Sequence, residues 1–143
     1  MKRVRMLIAL SLAVMALAMT ACGKDSARKP TYPVTGKVVL PGGKSVEHAT
    51  VVLHPVDDAD PEAVKPRGKV GKDGTFALTT YESADGAPAG EYRVTVELWL
   101  ASGKGDDGPT SRLPAKYARP ETSGLTATID SAPTSLKPIE LKR

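Results

Sequence analysis

The stretch Gly90-Glu91-Tyr92-Arg93-Val94-Thr95-Val96-Glu97-Leu98-Trp99-Leu100 constrains this chain more than any other. Tyr92, Val94, Val96, Leu98 and Leu100 fall on one face, and Arg93, Thr95, Glu97 and Trp99 fall on the other. An apolar residue at every second position marks a half-buried β-strand, because successive side chains of a pleated strand point to opposite sides. Tyr, Val and Thr suit that conformation, whereas a helix would spread the same residues around its circumference. The alternation predicts that Val96 is buried and Thr95 at least partly exposed. The other apolar runs after residue 22 are shorter, so they must supply the strands that cover this one.

The beginning of the chain carries a different pattern. Lys2, Arg3 and Arg5 precede an uncharged run from Met6 to Ala21, too short for a comfortable bilayer span and laid out as an export signal. It closes Leu17-Ala18-Met19-Thr20-Ala21-Cys22-Gly23, which resembles the lipobox of bacterial lipoproteins, with Met19 standing where Leu is usual. That resemblance implies cleavage before Cys22, lipidation of Cys22, and a permanent membrane anchor, since each buried methylene adds about 0.8 kcal/mol. Cys22 is the only cysteine and cannot form an internal disulfide. Gly23 beside it resembles the pattern that passes such proteins on to an outer membrane. The expected organisation is therefore a signal peptide over 1–21, a lipidated polar tether over 22–31, and one domain over 32–143 in an extracytoplasmic location. Removing residues 1–21 takes three of the 20 basic residues and none of the 16 acidic ones, so the formal charge falls from +4 to +1 (17 against 16). A balance that even gives no electrostatic case for nucleic acid.

After the tether, Tyr32 to Leu40 reads as a strand with Val34, Gly36, Val38 and Leu40 inward, ended by Pro41-Gly42-Gly43. Ala49 to His54 reads as the next, closed by Pro55. Asp57 to Arg67 is charged and proline-broken, an exposed loop. Gly68–Val70 and Thr75–Thr79 flank Gly71-Lys72-Asp73-Gly74, and an Asp-Gly pair between short strands predicts a hairpin with Phe76 and Leu78 inward. Ser83 to Gly90 is a polar turn into the long strand. Ala101 to Thr110 reads as a Gly/Asp loop, and Leu113 to Pro120 as an extended or 3-10 segment across an open end of the core. Leu125 to Ile129 and Leu136 to Leu141 complete the set. Pro138 has no amide hydrogen, which assigns the last strand to an edge. Seven short strands without a helix predict an all-β, seven-stranded Greek-key β-sandwich of antiparallel sheets, with a small barrel as the competing architecture.

Several of these segments together resemble a carboxypeptidase regulatory-like domain. Val34-Thr35-Gly36-Lys37-Val38 with Leu53-His54-Pro55 looks like its opening, Lys72-Asp73-Gly74-Thr75-Phe76 its central hairpin, and Pro88-Ala89-Gly90-Glu91-Tyr92-Arg93-Val94-Thr95-Val96 its most recognisable strand. Leu113-Pro114-Ala115-Lys116-Tyr117 and the following Thr122 to Thr126 are similar to small exported lipoproteins typical of planctomycete bacteria. The resemblance spans residues 33–141 and implies a prealbumin, transthyretin-like sandwich acting as a non-catalytic module. In that reading Gly36, Asp73, Gly74, Phe76, Gly90, Tyr92 and Tyr117 are structural. Gly90 permits a tight entry after Pro88, and Tyr92 and Tyr117 each offer a ring to the core and a hydroxyl to nearby backbone.

Little in the sequence suggests catalysis, a cofactor or a metal. His48 and His54 are the only histidines, in a turn and at a strand end, without metal-ligand spacing. Asp57, Asp58 and Asp60 sit beside Pro61 and lack the oxygen ligands of a calcium loop. Transthyretin-related hydrolases of 5-hydroxyisourate end in a Tyr-Arg-Gly-Ser-type tail, where this chain has Ile139-Glu140-Leu141-Lys142-Arg143. Intradiol dioxygenases need two tyrosines and two histidines on iron, and Tyr92 and Tyr117 are assigned to the core. No serine lies in a nucleophile-elbow sequence. Binding is the remaining class. Trp99 is the one large aromatic on the polar face of the longest strand, able to anchor an envelope protein or stack on a glycan, or else to pack under the 101–110 loop. A single Phe and no aromatic row argue against a nucleic-acid platform.

Overall fold

The computed structural model describes residues 28–57, 63–100 and 110–142. The signal segment, Cys22, Asp58, Asp60 and the 101–109 loop lie outside the described residues. In chain order the strands are β1 (Thr31–Tyr32), β2 (Val34–Val39), β3 (Thr50–Pro55), β4 (Arg67–Lys69), β5 (Thr75–Ala77) and β6 (Ala87–Pro88). They continue as β7 (Gly90–Glu97), β8 (Trp99–Leu100), β9 (Thr110–Ser111), β10 (Leu125–Ile129), β11 (Thr134–Ser135) and β12 (Ile139–Glu140). A 3-10 turn, Ala115–Ala118, stands between β9 and β10, in the segment where the sequence asks for one.

The fold is all-β, with two main sheets sharing one apolar core in a sandwich-type arrangement. One sheet has the order β10-β7-β3-β4, antiparallel throughout, so the long strand β7 is interior. In the other, β2 is central, with β5 antiparallel on one side and β11 and β12 parallel to it on the other. Val51, Leu53, Val94 and Val96 from the first sheet meet Val34, Val38 and Phe76 from the second, all buried. Burial of each such side chain stabilises by about 1.5–3 kcal/mol, which is why the period-two positions define the inner faces.

Four sequence expectations change. The alternating stretch does not run unbroken to Leu100: β7 stops at Glu97, and beyond Leu98 the chain forms a separate pair, β8 with β9. Thr95 is fully buried rather than exposed, because the outer face is covered there: His54 on β3 shares a 3.0 Å hydrogen bond with its hydroxyl. The last strand pairs parallel, not antiparallel, with β2, and it is interrupted. Thr134 pairs with Val34 and Ile139 with Val38, five steps against four, so one extra residue is bulged between them. Pro138 lies in that break. Leu136 and Leu141 donate to the Thr35 and Val39 carbonyls on either side of it, and the absent amide falls where the ladder is already open, at the edge.

The fourth change concerns the Asp-Gly turn. Its arms do close on each other at both ends: Arg67 and Thr79 exchange amide bonds, and Gly71 donates to the Thr75 carbonyl. Between those points they separate into different sheets, β4 pairing with β3 and β5 with β2. The turn is a corner joining the two layers rather than a hairpin within one. Two glycines allow the crossing to be tight. An added β-carbon at Gly68 would lie 2.7 Å from the Ala77 carbonyl oxygen, and one at Gly36 would lie 2.5 Å from Phe76 Cζ. The Phe76 ring therefore lies over Gly36, its cross-strand partner, and fills the space a side chain would take.

Because β3 and β7 run antiparallel with Thr50 opposite Glu97, the two ends of the sandwich carry different loops. One end gathers residues 28–33, the 79–89 turn and the 130–133 connection. The opposite end gathers residues 40–49, the Asp73-Gly74 corner, β8 with β9, and the 3-10 turn.

Candidate functional site

Trp99 sits at that second end. It pairs across to Ser111, and it is 54% exposed, so packing beneath a loop does not remove it from solvent. Its indole Nε1–H donates to Glu97 Oε2 at 2.8 Å. The two residues are two apart on an extended chain and share a face, so the carboxylate fixes the ring edge while leaving ring surface open. This is the most exposed large apolar side chain among the described residues, with Val64 at 51% and Val56 at 47%. Val56 is far from it, bonded through its amide to the Glu91 carbonyl at the other end of β7.

Tyr92 is buried and its hydroxyl donates to the Pro88 carbonyl at 2.7 Å. Tyr117, carried into the core by the 3-10 turn, donates to the Lys142 carbonyl at 2.9 Å and accepts from the Lys142 amide at 2.7 Å, closing the seam between the last strand and β7. Asp73 Oδ1 accepts from the Thr75 amide at 3.1 Å and hydroxyl at 2.7 Å. Those bonds favour the carboxylate, the hydroxyl contributing most, and hold its pKa below the ordinary value. Gly74 has φ +83°, which a side chain would strain, and its amide completes the turn to the Gly71 carbonyl. Gly90 meets no close neighbour, and what it supplies is the backbone conformation, φ +151°.

The histidines are not brought together. His48 lies in a turn at φ 68°, with Nε2 3.5 Å from Glu47 Oε1. His54 lies on β3 toward the other end, engaged with Thr95. Burial lowers the His54 pKa, Lys65 lowers it further, and Glu121 and Glu97 oppose the shift. Among the described residues no group of three or more His, Cys, Asp or Glu is placed to hold a metal ion. A groove of about 680 Å³ crosses the outer face of β2 and β5 past Lys37, Lys69 and Ser135, and a smaller one, about 370 Å³, lies by Leu40 and Glu140; Trp99 lines neither.

Two features have no sequence signature. The His54–Thr95 bond joins residues 41 apart, so only the strand register shows it. The 79–86 turn is organised by Asp85, whose carboxylate accepts from the amides of Thr80, Tyr81 and Glu82 at 2.7, 3.0 and 3.1 Å. Partial burial alone would raise the Asp85 pKa, but those three amides outweigh it and the pKa is lowered. The entering chain docks on this turn. The Arg28 guanidinium stands 5.3 Å from the Tyr81 ring centroid and 3.9 Å from Glu82 Oε1, and the Lys29 amide donates to the Tyr81 hydroxyl at 3.2 Å. Arg28 and Trp99 are thus at opposite ends of the molecule. No described helix is long and apolar enough to cross a membrane.

Among known proteins, no family model and no curated sequence matches the chain, the carboxypeptidase regulatory-like family included. A solved structure of a DUF3823 family protein from Parabacteroides merdae shows a distant, partial likeness: 18% identity and a TM-score of 0.37, over 80% of this chain and 46% of that one. This chain thus spans about half the length of the protein it matches.

Proposed function

We propose that this chain is a non-catalytic module, tethered to a bacterial membrane through lipidated Cys22, which presents its Trp99 end to partners in the envelope. The observation that supports this most directly is the placement of Trp99: more than half exposed, edge-fixed by Glu97, at the end opposite the entry of the chain at Arg28. Tryptophan concentrates binding energy when a partner covers it. Five residues, 23–27, separate Cys22 from Arg28, which makes six steps along the chain. At about 3.5 Å per extended residue they would keep the Arg28 end within roughly 20 Å of the anchor, and Trp99 would face away from the bilayer. Gly23 favours the outer membrane as the destination.

The transthyretin-like reading of the fold belongs with this proposal. Counting β11 and β12 as one interrupted strand leaves seven positions in the two main sheets, with the chain's first long strand, β2, parallel to its last, which supports that reading. A glycan is the second candidate ligand, favoured by an exposed ring flanked by the Glu97 carboxylate.

The test compares wild type with Trp99→Ala in an envelope-protein pull-down and on a glycan array, beside denaturant melts. Loss of binding with a nearly unchanged melt supports the module, and the array decides between protein and glycan. Binding that survives Trp99→Ala refutes the surface. Cys22→Ser should move the protein to the soluble fraction or leave an unprocessed precursor, and normal processing with membrane retention would refute the anchor. Turnover of any substrate that a folded His48→Ala or His54→Ala variant loses would refute the non-catalytic reading.

A further inference from the structure

The side of β4 turned away from the core carries a row of cations. Gly68 points inward, where an added β-carbon would meet the Phe76 ring and the Ala77 carbonyl, so Arg67 and Lys69 on either side of it point outward, and both are exposed. The Leu53 amide bonds the Pro66 carbonyl at 2.8 Å, which continues the ladder one residue past β4 and turns half-buried Lys65 to the same side. Alternate residues of a strand stand about 7 Å apart, so Lys65, Arg67 and Lys69 span roughly 13 Å in a line. Among the described residues none of the three is in a salt bridge, and neither β3 nor β4 contains a carboxylate. Like charges set so closely repel one another, and a bound anion relieves that repulsion. Beside the row runs a floor one strand wide. Thr50 is paired with Lys69 and Val52 with Arg67, and His54 follows next to Lys65, whose ammonium helps to lower its pKa. All three floor side chains are half-buried. Beyond the floor β7 contributes Glu97, Thr95 and Arg93, with Glu97 engaged by the Trp99 indole, and Glu121 is the other carboxylate close enough to act on His54.

We propose that this face binds an anionic polysaccharide, whose chain lies along β3 with its acidic groups on Lys65, Arg67 and Lys69. The cations stand in line and on one side, which matches a stiff chain carrying charge at intervals; a compact anion needs donors that converge. Val52 offers an apolar contact to the C–H face of a sugar ring, and Thr50 and the His54 nitrogen not bonded to Thr95 flank it as partners for hydroxyls. An acidic peptide is captured best by adding a strand at an open edge, and here Arg67 exchanges both of its backbone bonds with Thr79, so β4 presents side chains rather than free backbone. Lys69 stands at the corner of the sheet, where it also borders the groove over β2 and β5, and so ends the track. The face is built by β3 and β4 and does not depend on Trp99.

The test is calorimetric titration of the full chain in detergent with polygalacturonate, beside its methyl ester, poly-glutamate and double-stranded DNA. Wild type is expected to bind polygalacturonate, to lose affinity as salt rises from about 20 mM to about 300 mM, and to ignore the neutral ester. Arg67→Gln/Lys69→Gln should weaken binding about tenfold, and Arg67→Lys/Lys69→Arg, which keeps the charge, should retain it. Lys137→Gln/Lys142→Gln removes the same charge from the last strand of the other sheet and should leave binding unchanged. All four substituted side chains are exposed, and far-UV circular dichroism with a melt confirms that the variants are folded. No binding by wild type at about 1 mM uronate overturns the proposal. So does binding that Arg67→Gln/Lys69→Gln leaves intact or that Lys137→Gln/Lys142→Gln weakens equally. Equal affinity for poly-glutamate or DNA overturns it as well, because the face would then respond to charge alone.

Discussion

Replacing Thr95 tests the account of the covered outer face. Thr95→Val keeps the shape and removes the hydroxyl that bonds His54 Nε2, a loss of about 0.5–1.5 kcal/mol for a partly buried pair. Thr95→Ala also deletes a methyl from a fully buried site and leaves a void, for a total of about 1–2.5 kcal/mol. Val96→Ala, on the inner face next to it, should cost about 1.5–3 kcal/mol, so the two neighbours become comparable. Thr126→Ala and Thr128→Ala, exposed on the same face, are the controls at under about 0.5 kcal/mol. A pH series sharpens the test. The His54 pKa is lowered in the folded state, chiefly by burial, so the unfolded chain binds the proton more readily. Its contribution is complete above the ordinary value of 6.5 and is lost as pH falls through the lower folded value. Urea melts of wild type and His54→Gln from pH 8 to pH 4 should therefore converge on acidification. A Thr95→Ala cost no larger than that of Thr126→Ala, or a wild-type advantage that grows in acid, would refute the reasoning.

Gly36→Ala places a methyl against the Phe76 ring and should cost about 1–3 kcal/mol in a melt, with partial recovery in Gly36→Ala/Phe76→Leu; full tolerance would mean that the ring does not pack there. Tyr117→Phe removes one bond donated to Lys142 and one accepted from it, for about 1–3 kcal/mol, and should expose the Leu141 amide to faster hydrogen exchange. His48→Gly relieves a left-handed backbone and should raise stability by up to about 1 kcal/mol, net of the added chain entropy; a loss of stability would assign the His48–Glu47 pair a larger role.

Inner faces were the legible part of the fold. Val34, Val38, Val51, Leu53, Phe76, Leu78, Val94 and Val96 are buried as their alternation requires, because periodicity reports directly on which side of a pleat must leave water. The 3-10 turn around Tyr117 and the edge position of Pro138 were also legible, since each follows from a residue whose backbone chemistry is restrictive. Which strands pair was less so. Gly71 to Gly74 states that the chain reverses, and it does, but whether the arms stay in one sheet depends on Gly68 and Gly36 allowing them to cross closely. That is a property of packing between segments, absent from either segment alone.

Thr95 shows the same limit on a single residue. Its position in the alternation reports the side of the strand on which it lies and says nothing about what covers that side. The cover is His54, from a strand whose register to β7 places it diagonally from Thr95, with Lys65, Glu97 and Glu121 near enough to shift its titration. Trp99 gives the converse case. The alternation places it on the outer side too, but there β7 has ended and Trp99 belongs to the separate β8–β9 pair, so the indole stays more than half exposed, with Glu97 bonded at its edge. Two residues of the same parity, four positions apart, therefore take opposite roles. Thr95 is held within the sheet and contributes stability, while Trp99 lies beyond it and is available for contact. The difference comes from where the sheet stops, which is set by the pairing of Thr50 with Glu97 and by no feature of the alternating stretch itself.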